Sequence, residues 1–136
     1  MNLKQRRAKQ TFEEDEMPAL RQKMMDALGT EAELEMDWDS LVVDGWEHML
    51  SEHIRKVFFE SATKGFELVG SDEMGKQAMA EGISKIVMQN RNDNYSDDKW
   101  AVLKDGTLTL DHHPYSNVDY VQKRAEGLQE VLENNL

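Results

Sequence analysis

The chain has 136 residues, with 16 Lys and Arg against 27 Asp and Glu, a formal net charge of −11. At 39% hydrophobic and 32% charged residues it is too apolar for a disordered acidic tail, and its length suits a single core. The absence of cysteine excludes disulfides, thiolate nucleophiles, Cys-based zinc sites and iron–sulfur clusters. No stretch approaches the roughly 18 uninterrupted apolar residues of a membrane helix, and the opening Met1–Arg7 leads into charged residues instead of the apolar core of a signal peptide. The expectation is a cytoplasmic chain without membrane contact.

Residues 1–15 read as a flexible charged arm, because Lys4, Arg6, Arg7 and Lys9 followed by Glu13, Glu14 and Asp15 offer little apolar surface against the entropy of ordering. Residues 16–136 read as one domain. Its first helix spans about 16–28, where Leu20, Met24 and Leu28 recur every four residues, Pro18 sits in the first turn and Gly29 stands where a left-handed terminator belongs. From Ala32 to Asp39 the period changes to two. Ala32, Leu34, Met36 and Trp38 alternate with Glu33, Glu35, Asp37 and Asp39, the pattern of a strand with one dry and one wet face.

Asp44 and Glu47 hold capping-box spacing ahead of a helix with Trp46, Leu50, Ile54, Val57, Phe58, Ala62 and Phe66 on one stripe, and Glu52 with Lys56 and Glu60 with Lys64 form i,i+4 pairs. After Gly70-Ser71, Asp72 and Glu73 favour the start of another helix carrying Ala78, Met79, Ile83, Ile86 and Val87. Gly75 and Gly82 weaken it unless a neighbour packs close against them. The Asp105-Gly106 turn predicts a two-residue hairpin with Lys104 opposite Thr107, Leu103 opposite Leu108 and Ala101 opposite Leu110, leaving Trp100, Val102, Thr109 and Asp111 on the other face. Ser116 and Asp119 have the spacing of a capping box for a last helix with Val118, Val121, Ala125, Leu128 and Leu132. The predicted order is α-β-α-α-β-β-α, an α+β fold with a small three-stranded antiparallel sheet, one strand plus a hairpin, covered on one face by helices.

Catalytic signatures are sparse. His48 and His53 are five apart, about 140° around a helix, and the neighbours His112 and His113 point to opposite sides of a strand, so neither pair forms a ready metal site. No Gly-x-Ser-x-Gly elbow occurs, Gly70 to Lys76 lacks the hydroxyl and strand of a phosphate loop, and Asp93 to Asp98 lacks the glycine and terminal Glu of a calcium loop. No catalytic residue, metal or cofactor is assigned.

The feature with most functional content is the acidic row. Glu33, Glu35, Asp37 and Asp39 stand about 7 Å apart on one strand face, and with Trp38 and Glu47 they form an expected docking surface for a protein with a basic surface. The leading expectation is thus a small, non-catalytic acidic binding module: an inhibitor, adaptor or assembly factor. The alternatives are a metal- or ligand-binding domain or enzyme around Asp111, His112, His113 and Trp100, and a nucleic-acid mimic. Direct binding of nucleic acid is opposed by the net charge. The apolar seam of the last helix, about two heptads long, offers a homodimer contact only if it is not used inside the fold.

Overall fold

The computed structural model describes residues 1–136. Helix α1 (Leu3–Asp15) and helix α2 (Met17–Leu28) lead into strand β1 (Glu33–Met36) and a helical turn, α3 (Trp38–Leu41). A continuous helical run follows, made of a 3-10 turn (Glu47–Met49), α4 (Leu50–Ile54), a π-helical segment (Arg55–Glu60) and α5 (Ser61–Val69). Helix α6 (Glu73–Gly82), strands β2 (Lys85–Gln89), β3 (Ala101–Lys104) and β4 (Thr107–Asp111), and helix α7 (Val121–Asn135) complete the chain.

The α+β class expected from the sequence holds, but the sheet has four strands in the order β1-β2-β4-β3 and is mixed rather than antiparallel. β1 and β4 both run parallel to β2, and only the β3–β4 hairpin is antiparallel. The hairpin register is the expected one, Lys104 with Thr107 and Ala101 with Leu110. The added strand, β2, lies in the segment read as the end of a helix. Ile83, Ile86 and Val87 fit helical spacing, yet Ile86, Val87 and Met88 are consecutively buried, as in a central strand covered on both faces. Helix α6 stops at Gly82 and the chain turns into the sheet.

Residues 3–15 form a helix in place of the expected flexible arm. Asn2 and Gln5 close a capping box at its start, and Phe12 is buried against Trp38 and Phe59. The Gln5 amide also donates to Asp44 Oδ1 at 2.6 Å, which takes Asp44 out of the capping role expected for it; the helical run opens as a 3-10 turn without a side-chain cap. Glu60 pairs with Arg55 at 2.7 Å and not with Lys64, whereas Lys56 does reach Glu52. The Ser116–Asp119 box is likewise not formed. Ser116 Oγ meets His113 Nδ1, Asp119 pairs with Lys56, and α7 starts at Val121.

The core is one apolar cluster running from Phe12 on α1 through α2, α5 and the sheet to Leu132 on α7. Ala125, Leu128 and Leu132 of α7 are fully buried, so the seam considered for dimerisation is used within the fold. No helix is long and apolar enough to cross a membrane.

Candidate functional site

The acidic row is shorter and more neutralised than its sequence pattern implies. Only Glu33 and Glu35 lie on strand β1; Asp37 follows it, and Asp39 belongs to α3. β2 runs alongside and brings its own cations. Lys85 Nζ lies 3.6 Å from Glu35, and the Arg91 guanidinium grips Asp37 with two bonds of 2.6 and 2.9 Å. That guanidinium holds the Asp37 carboxyl below the usual carboxylate range. Glu33 and Asp39 stay exposed and unpaired, and Trp38, offered as an anchor, is 8% exposed and packs edge-on against Phe12. The strand face therefore presents scattered carboxylates without an apolar centre.

The alternative cluster around Asp111 is also taken up by the fold. Asp111 is buried, and its carboxylate accepts from Gln89 Nε2 at 2.7 Å, from the Arg91 and Asn92 backbone N–H groups and from Asn92 Nδ2, which shapes the loop after β2. Trp100 is fully buried and donates its indole N–H to the Arg124 carbonyl. Arg124 is buried as well; its guanidinium donates to Ser61 Oγ and to the Asn117 and Val118 carbonyls, and burial lowers its pKa to about 10.

Of the histidines, His113 alone of the expected pair reaches the surface. It stacks on Tyr95 and meets Tyr115 edge-on, and Tyr115 continues to His53 and Trp46. This row of rings clips the segment before the 3-10 turn to the loops that follow β2 and β4. His53 Nδ1, His112 Nε2 and the Tyr115 hydroxyl have no hydrogen-bond partner in the protein. Burial holds His53, His112 and His113 below the usual imidazole range and pushes the Tyr115 phenol up. No group of three His, Asp or Glu side chains is placed to hold a metal ion.

A third surface combines exposed apolar side chains with unpaired carboxylates, and sequence reasoning did not select it. Asp72 caps α6 by accepting from the Gly75 N–H at 2.8 Å. Gly75 then lets α6 lie against the end of α5, because a Cβ there would stand 1.9 Å from the Val69 carbonyl oxygen. Gly82 does the same at the other end, where a Cβ would meet Leu136 at 2.4 Å. The two close approaches leave a groove of about 290 Å³ between α6 and the end of α7, floored by Val69, Ala78 and Leu132 and flanked by Met74 and Leu136.

Met74 is 81% exposed and Leu136 42%. The groove shares Ala78 and Leu136 with an adjoining hollow of about 410 Å³ beside Leu103. The charged residues lining the two are Asp72, Glu133, Glu81 and Asp105, with no Lys or Arg, and none of the four is in an ion pair. Such a surface suits a segment with apolar side chains flanked by positive charge. The only sequence hints of it are the two glycines within one predicted helix and the unassigned Met74. Set against family models, curated proteins and solved structures, the chain matches none.

Proposed function

We propose that the chain is a non-catalytic binding module that takes a basic, apolar-anchored segment of a protein partner into the α6–α7 groove. The observation that carries this reading is that the chain's most exposed large apolar side chain, Met74, sits on a groove whose charged lining is entirely acidic. Apolar anchors such as Met74 and Leu136 supply area at the centre of a contact, and a flexible thioether adapts to differing partners. The carboxylates around them steer and orient a cationic segment, in a field already set by a net charge of −11. The β1 row suits this role less well, because Lys85 and Arg91 offset its charge and Trp38 is buried.

The test is binding of a fluorescent synthetic helix carrying leucines on one face and arginines beside them, followed by anisotropy. Saturable binding that weakens with salt is expected, with at least about a tenfold loss for Met74→Glu, equivalent to about 1.4 kcal/mol. Equal affinity of Met74→Glu and the parent chain would overturn the reading.

A further inference from the structure

The occupant with matching chemistry is present in the chain itself. Residues 1–10 hold four cations and no acid, the reverse of the groove. In α1 the buried side is made by Gln5 and Phe12, and the opposite side, at 3- and 4-residue steps, exposes Leu3, Arg6, Arg7 and Gln10. Met1 and Leu3 are 45% and 52% exposed. Lys4, Arg6 and Arg7 make no ion pair, whereas Lys9 pairs with Glu13. The Asn2–Gln5 capping box and the docking of Phe12 hold this helix formed before any partner arrives, which reduces the ordering cost of binding.

Resting on the groove reading above, we infer that the groove's partner is a second copy of the chain, whose α1 places Met1 and Leu3 on the apolar floor and Arg6 and Arg7 against Glu81 and Glu133. No residue of α1 lines the groove of its own molecule, so tip and groove are different surfaces, and the contact inferred is head-to-tail, one tip to one groove, instead of a reciprocal pair. Each copy keeps one free tip and one free groove. The assembly therefore grows with concentration instead of stopping at a symmetric dimer, and it dissociates in salt because the paired charges are exposed.

Sedimentation velocity of the full chain tests this with two variants, Arg6→Glu/Arg7→Glu and Glu81→Lys/Glu133→Lys. Neither substitution touches a buried group or the α6 cap. The parent chain is expected to show an average mass that rises with concentration and falls between about 0.05 and about 0.5 M salt. Each variant alone is expected to remain a monomer. Their equimolar mixture is expected to associate again, because the intact basic tip of one meets the intact acidic groove of the other, and the reversed tip, now acidic, likewise complements the reversed groove, now basic.

A parent chain that stays monomeric at all concentrations, a mixture that stays monomeric, or self-association that survives in either variant alone overturns the inference. The synthetic helix separates the two readings. If it binds the groove of a chain that does not self-associate, the groove reading stands and the second copy is excluded as its partner; if neither binds, both fall.

Discussion

Two acidic surfaces of this molecule differ in what lies next to them. On the β1 face, Glu35 and Asp37 stand beside a neighbouring strand and its loop, which deliver Lys85 and Arg91. At the α6–α7 groove, Asp72, Glu81, Asp105 and Glu133 surround apolar side chains and meet no cation. The β1 row is the more regular pattern in the sequence, and the groove is the more available surface in the fold. A carboxylate's freedom to act on a partner is decided by residues distant in the chain, and for the row those residues arrive with β2.

The comparison can be broken at its structural root. Gly75→Ala places a methyl against the Val69 carbonyl, with no flexible side chain to yield, so α6 has to shift. Thermal or denaturant unfolding should show a loss of about 1–3 kcal/mol, and binding of the synthetic helix should disappear with the groove. A variant of parental stability that still binds would show that the helix contact does not build the site.

Titration sharpens the contrast in a different way. His53, His112 and His113 lie at the ring row or just behind it, at neither acidic surface, and burial lowers the pKa of each. The unfolded chain therefore takes up protons at about pH 6.5 that the folded chain refuses. Stability is complete above that pH and falls as the pH drops toward the lowered folded values, with a slope of up to about 1.4 kcal/mol per pH unit for each proton withheld. Asp37 contributes nothing in this window, since its stabilisation is lost only as pH falls below the carboxylate range. Between about pH 7.5 and about pH 5.5 the melting temperature should decline while affinity for a cationic helix stays level, because none of the three histidines lines the groove. A parallel fall of both quantities would tie the groove to the histidine loops.

The smallest effect is expected at the β1 row. Glu33→Lys and Asp39→Lys alter exposed, unpaired carboxylates, so stability should change by no more than about 0.5 kcal/mol and helix binding hardly at all. A large loss of affinity in the same anisotropy assay would return the docking surface to that strand.

What the sequence revealed is what depends on near neighbours. The β3–β4 register follows from Asp105-Gly106, and the end of α2 follows from Gly29, which takes φ 84° and donates its N–H to the Met25 carbonyl. The α1 helix was also marked locally, by the Asn2–Gln5 spacing, but Phe12 gave too little apolar signal to outweigh the charges around it. β2 was ambiguous, since a short apolar run fits both periods; Gly82 before it and the adjacent Ile86 and Val87 were the signs of a strand. The Arg91–Asp37 pair joins positions 54 apart, and the groove depends on how two helices approach each other. Neither has a periodicity to read. The contact at Gly75 was visible only as a condition: a glycine inside a helix is tolerated where another backbone comes close.

The order of the sheet also bears on how the chain acquires it. β3 and β4 close over two residues, but β1 finds its place only beside β2, on the far side of the whole helical middle, and β2 in turn lies against β4. During synthesis from the amino end, β1 emerges long before either, and the cost of closing so wide a separation makes local hairpin formation faster than β1 docking. The strand has to wait with its backbone unpaired. Glu33 and Glu35 keep that waiting edge hydrated and repel a second nascent chain, and because β1 stays at the edge of the finished sheet, exposed Glu33 goes on guarding its free side after Lys85 has paired with Glu35.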